Sequence, residues 1–204
     1  MHPIPNGMWK QNCYIVVNFL NEAIIIDPGS EGEKIGAAIA DLAVKPLAIL
    51  NTHAHYDHIG AVDYLAKKYA IPFYLHTGDE KLLKQANLFK ILFESTNSIL
   101  IPKIDIPIET IGRNKNGIDG FDVSIIETPG HTNGGVCILL GKLMFSGDTL
   151  LPNGPATTNL PGGSAEKLVE SLNLLKKLPG DILVYPGHGK PFFLLDFWKK
   201  YGEI

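Results

Sequence analysis

The sequence predicts an α/β fold, and three observations carry that expectation. Short apolar or β-branched runs alternate with stretches of helical periodicity through the first half of the chain. Several more strand-like runs follow in the second half, so two sheets are expected rather than one. A cluster of histidines follows an apolar strand directly, and the carboxyl ends of strands are where α/β proteins build sites.

The elements follow in order. Residues 14–18 and 23–26 read as a hairpin that ends in Asp27-Pro28-Gly29. Ile35, Ala38, Ile39 and Leu42 share one face of a helix over 33–42, and the apolar run 46–50 reads as a buried strand. A helix with Ala61, Tyr64, Leu65 and Lys68, a strand over 72–75, and a capped helix opened by Thr77, Asp79 and Glu80 continue the alternation. Residues 87–118 break the rhythm and are expected to form a cleft-covering insertion, with a polar turn at 113–117. Strands are then expected over 121–127, 136–140 and 143–146, the last two joined tightly through Gly141-Lys142. Ser164 caps a helix whose face is Leu168, Leu172, Leu175 and Leu178, Pro179-Gly180 stops it, and a strand over 182–185 follows.

At 204 residues, with ordinary apolar content, the chain is read as one domain over 1–204. The net charge of −3, with lysines in scattered pairs, offers no basic stripe for a phosphate backbone, so nucleic acid is not an expected partner. Nothing resembles a signal peptide or a membrane span, so a cytoplasmic protein with no membrane partner is expected. Cys13 and Cys137 both lie in apolar runs and read as small core residues, not as a disulfide or a metal pair. A small-molecule substrate is the expected partner, and the oligomeric state, monomer or homodimer, stays open.

The chemistry concentrates in Thr52-His53-Ala54-His55-Tyr56-Asp57-His58, where three of the seven histidines fall within six residues. Should 53–58 form a turn, His53 and His55 project to one side and Asp57 and His58 to another, so one loop can serve two cations. Imidazole and carboxylate donors suit Zn, Fe or Mn. Downstream, His131, Asp148 and His188 each occupy a Gly-containing turn beside an apolar run. Asp27 sits in a turn sequence of its own.

These motifs, taken in order, resemble those of the metallo-β-lactamase-fold hydrolases, and within them the single-domain glyoxalase II-like (hydroxyacylglutathione hydrolase-like) branch. The resemblance covers almost the whole chain. It implies a four-layer αββα sandwich: two mixed β-sheets face to face, flanked by helices, with the site along one edge. It also implies a binuclear centre, with two Zn as the first expectation and Fe or Mn as alternatives. His53, His55 and His131 would hold one metal, and Asp57, His58 and His188 the other. Asp148 would bridge them, Asp27 would support the His loop from behind, and Asp57 and Asp148 would be the catalytic carboxylates. The implied activity is metal-dependent hydrolysis of a thioester or related ester.

Two departures from that branch concern the substrate. Residues 150–159 carry no Lys or Arg to hold an anionic glutathione thioester, and no helical substrate-binding domain is expected after 190–198. The apolar stretch 88–93 fits an acyl pocket, a core helix or a dimer contact equally. A mononuclear iron persulfide dioxygenase built on His53, His131 and Asp148 shares the donor set, as do a lactonase and a phosphodiesterase.

Overall fold

The computed structural model describes residues 1–95, 98–112 and 117–202. Its first sheet begins at the N-terminus, where strand β1 (His2–Asn6) pairs antiparallel with β2 (Gln11–Val17), and β2 with β3 (Glu22–Ile26). Helix α1 (Gly32–Asp41) crosses to β4 (Lys45–Leu50), which runs parallel to β3. A single turn, α2 (Tyr56–Ile59), and helix α3 (Val62–Tyr69) lead to the parallel strand β5 (Phe73–Leu75). Helix α4 (Glu80–Glu94) and a loop then lead to β6 (Ile106–Pro107), the last strand of the order β1-β2-β3-β4-β5-β6.

The second sheet is built from β7 (Val123–Glu127), β8 (Val136–Leu140) and β9 (Leu143–Gly147), an antiparallel meander. A two-stranded ribbon follows, β10 (Leu150–Leu151) with β11 (Gly154–Pro155), and then helix α5 (Ala165–Leu175). Strand β12 (Leu183–Pro186) lies parallel to β9, β13 (Phe192–Phe193) pairs on its other side, and α6 (Leu194–Tyr201) closes the described chain.

Alternation along the strands decides the layering, because successive side chains leave opposite faces. On the first sheet Cys13, Ile15, Ala23, Ile25 and Ile49 point outward into a core shared with α1, α3 and α4. Their neighbours Tyr14, Val16, Ile24, Ile26 and Leu50 point inward and meet Val136, Ile138 and Phe145 of the second sheet. Cys137 and Met144 face the other way, onto Leu168, Leu172 and Leu175 of α5 and Phe197 of α6. Three apolar layers separate four layers of secondary structure: the αββα sandwich. Both cysteines are free and buried, on opposite outer layers, as their apolar surroundings in the sequence predict.

Several small elements were not expected from the sequence. Strand β1 contains Pro3 and Pro5, which read against a strand but are tolerated at a sheet edge, where it lies. The ribbon, β13 and α6 are too short or too irregular in pattern to stand out. Within 87–118, α4 continues to Glu94 and β6 adds to the first sheet, while 113–116 of the expected polar turn lie outside the described residues.

Phe145 is 1% exposed and fills the middle layer, its ring 5.2 Å from that of Tyr14 and 5.4 Å from that of Tyr185. Phe145→Ala is expected to cost about 3–5 kcal/mol, measured by urea denaturation. A loss under about 1 kcal/mol would show that the sheets do not pack through this ring.

Candidate metal centre

The parallel strand β4 ends at Leu50, and the next eight residues turn back across the sandwich edge. Thr52 continues toward the second sheet, its carbonyl accepting from Val136 N at 2.9 Å, so the histidine loop starts where the two sheets meet. Asn51 Nδ2 donates to His58 O at 2.7 Å and closes the loop on itself.

Behind this loop lies Asp27, at the end of β3, with φ of 49°, a left-handed backbone that Asp tolerates better than most residues. Its Oδ1 accepts from Thr52 N at 2.7 Å, and its Oδ2 from Thr52 Oγ1 at 2.6 Å and from His58 Nδ1 at 3.0 Å. Thr52 Oγ1, having given its proton to Asp27, accepts from His53 Nδ1 at 3.0 Å. One carboxylate thereby fixes the tautomers of two imidazoles, assigned here from their hydrogen bonds, and turns both Nε2 atoms toward the site. His131 Nδ1 donates to Thr157 O at 2.8 Å and His188 Nδ1 to Trp9 O at 3.0 Å, which frees their Nε2 atoms in the same way.

The freed atoms converge in two groups. His53 Nε2 lies 3.1 Å and His131 Nε2 3.0 Å from His55 Nδ1. Two nitrogens bound tetrahedrally to one zinc are separated by about 3.3 Å, so the three imidazoles stand close to a ligand spacing. In the second group Asp57 Oδ2 lies 3.3 Å from His188 Nε2 and 3.9 Å from His58 Nε2. Asp148 stands between them, with Oδ1 3.5 Å from His58 Nε2 and Oδ2 3.6 Å from His188 Nε2 and 3.7 Å from His131 Nε2. Asp27, His53 and His58 also lie near enough to share an ion, but both Asp27 oxygens are already engaged, which makes it a support and not a ligand.

A metal fits this donor set. His58 Nε2 and Asp148 Oδ1 are buried without a hydrogen-bond partner, an arrangement that costs free energy unless something else meets such atoms. Gly187 makes room for the approach: a Cβ there would come within 2.2 Å of Asp148 Oδ1 and 2.6 Å of His58 Cε1.

The electrostatics divide along the same line. Burial, reinforced by the neighbouring imidazoles, pushes His53 well below the ordinary range and lowers His55 to about 3, so these two rings are neutral and ready to donate lone pairs. Burial acts against His58 too, but the Asp148 and Asp57 carboxylates overcome it and hold the ring well above its ordinary value. In return, though burial opposes ionisation, His58 keeps Asp148 well below the carboxylate range and lowers Asp57. The second group holds two ionised carboxylates.

The expected site residues therefore all come together. One further residue was misread. Asp79 reads in the sequence as part of a capped helix start, yet its carboxylate caps nothing; His76 Nδ1 accepts from Gly78 N instead. Asp79 turns inward, 1% exposed, and accepts from Ala54 N at 3.0 Å, Thr132 Oγ1 at 2.8 Å and Gly134 N at 2.6 Å. It ties the loop carrying His53 and His55 to the loop carrying His131. The signal available was an acid just past a strand end on the same side as the histidines.

With this geometry in place, comparison with known proteins defines the class. The chain matches the Metallo-beta-lactamase superfamily over residues 6–188, and it belongs to that superfamily of metal-dependent hydrolases. It is 37% identical over 189 residues to the probable metallo-hydrolase YqgX of Bacillus subtilis, covering 91% of this chain and 88% of that one. It is 32% identical over 193 residues to the hydroxyacylglutathione hydrolase GloC of Haemophilus influenzae, covering 91% and 89%. The crystal structure of the BLEG-1 B3 metallo-beta-lactamase superposes with a TM-score of 0.88 at 32% identity, covering 97% of this chain and 96% of that one.

Asp79→Ala is expected to leave three buried donors without acceptors and to lower metal affinity at the three-histidine group about 10- to 100-fold, measured by chelator competition. Unchanged affinity would show that the two loops hold their relation without it.

Proposed function

We propose that the protein is a binuclear hydrolase that cleaves a small-molecule thioester or related ester. His53, His55 and His131 would hold one cation, Asp57, His58 and His188 the other, and Asp148 both. The observation that carries the reading is the second group: a mononuclear iron dioxygenase on His53, His131 and Asp148 would leave Asp57, His58 and His188 without a role beside it. The similarity to the protein named hydroxyacylglutathione hydrolase supports a thioester as substrate. Zinc is the first expectation for the metal, with iron or manganese compatible with the same donors.

Two bound cations would supply a water acidified toward neutrality and a Lewis acid for the carbonyl oxygen. The residues do the rest. Asp57 lines the cleft as an ionised carboxylate beside His188 and is placed to hold the proton that the attacking water gives up. The new C–O bond forms as the C–S bond breaks, the proton taken from the water leaves with the thiol, and the acid product gives its remaining proton to solvent, leaving a carboxylate and a free thiol. Asp27 and Asp79 keep the donors aimed while this happens.

The test is a panel of thioester, lactone, phosphodiester and β-lactam substrates offered to protein reconstituted with Zn, Mn or Fe. Thioester hydrolysis is expected to lead, and His55→Ala and Asp148→Ala to reduce it at least about 100-fold while circular dichroism stays native. Preference for another arm, or variants as active as the parent, would overturn the reading.

A further inference from the structure

Beside the donor groups opens a cavity of about 400 Å³, a size typical of small-ligand sites. Apart from the donors, its wall is Trp9, Tyr56, Phe89, Phe93, Leu160 and Pro161. Among the described residues no Lys or Arg lines it. Lys90, between the two phenylalanines on α4, is already matched: it is ion-paired with Glu94, and its Nζ lies 5.7 Å from the centre of the Tyr56 ring. The wall is also held in place. Trp9 Nε1 donates to Tyr56 Oη at 2.8 Å, and the Tyr56 ring stacks on Phe93 with centroids 6.5 Å apart and planes 16° from parallel. Trp9 and Phe93 remain 50% and 47% exposed, apolar surface that a ligand would cover.

We infer that this cavity takes an uncharged aromatic or branched apolar group of the substrate, so that neutral thioesters are preferred over glutathione thioesters. The inference rests on the thioester reading above and names its substrate class. The physical reason is a difference of costs. A glutathione carrier brings two carboxylates to a wall with no cation to receive them, and a carboxylate that loses water there gains no partner. An apolar group loses only unfavourable hydration. The apolar group can belong to the acyl part or to the thiol part, and the experiment separates the two.

Metal-reconstituted protein is offered four thioesters: phenylacetyl and acetyl groups, each on N-acetylcysteamine and on glutathione. For each acyl group the uncharged carrier is expected to give a kcat/KM at least about 10-fold higher. A phenylacetyl advantage on N-acetylcysteamine places the apolar group on the acyl side. Without one, S-(2-phenylethyl) thioacetate, whose leaving group is likewise an alkyl thiol, outpacing the acetyl N-acetylcysteamine ester places it on the thiol side. Phe93→Ala is expected to shrink whichever advantage appears, mainly through KM, and Leu160→Lys to raise the relative rate on glutathione thioesters. A second readout does not depend on turnover. In a Trp198→Phe background, quenching of Trp9 by the non-hydrolysable S-phenacyl thioethers is expected to show about 10-fold tighter binding to the N-acetylcysteamine compound than to the glutathione compound.

Faster hydrolysis and tighter binding of the glutathione compounds overturn the inference and leave the hydrolase reading standing. Absence of hydrolysis on every thioester overturns the thioester reading and the inference with it.

Discussion

The carboxylate of Asp27 is the interaction on which the rest of the site depends. It stands at the end of one parallel strand and receives the start of the loop from the next, through Thr52 N and Thr52 Oγ1. By accepting from His58 Nδ1, and through Thr52 from His53, it decides which nitrogen of each ring faces the cleft. Remove that constraint and the two imidazoles are free to present either nitrogen, so the convergence of donors in both groups is lost. A parallel β3–β4 pair is what brings these strand ends side by side, which ties the sheet topology to the chemistry directly.

The same logic governs the opposite wall. His131 and His188 come from loops of the second sheet, and each is oriented by a backbone carbonyl, Thr157 O and Trp9 O, where His58 and His53 are oriented by a carboxylate. Two sheets contribute half-sites, and packing them face to face assembles the whole. The inter-sheet core around Phe145, Tyr14 and Tyr185 therefore sets the distance between the two halves as well as contributing stability. Asp79 adds a tether between the loops nearest the first group, and Asp148 lies where the halves meet.

Much of this was legible in the sequence because it repeats local rules. Apolar runs ending in histidine or aspartate at a glycine turn identify strand ends with donors, and the β-branched runs 14–18 and 23–26 identify the hairpin that delivers Asp27. Ser164 caps α5 as its position implies, its Oγ accepting from Lys167 N. What was not legible depended on contacts between distant segments. Asp79 looks like any acid at a helix start until Ala54, Thr132 and Gly134 arrive around it. The edge strand β1 is hidden by its two prolines, and Trp9 gains its part in the cavity only because the β1–β2 turn folds over Tyr56 and His188. Residues 88–93 left three readings open in the sequence; in the fold Phe89 and Phe93 turn toward the cleft.

The central claim is that the two groups of donors form one binuclear centre. Calorimetric titration of chelator-stripped protein with Zn tests it most directly, beside the His188→Ala variant, which removes a donor from the second group alone. The account predicts two ions per chain for the parent and one for the variant, with the affinity of the remaining ion little changed. A parent that binds a single ion, or none, or a variant that still binds two, would contradict it.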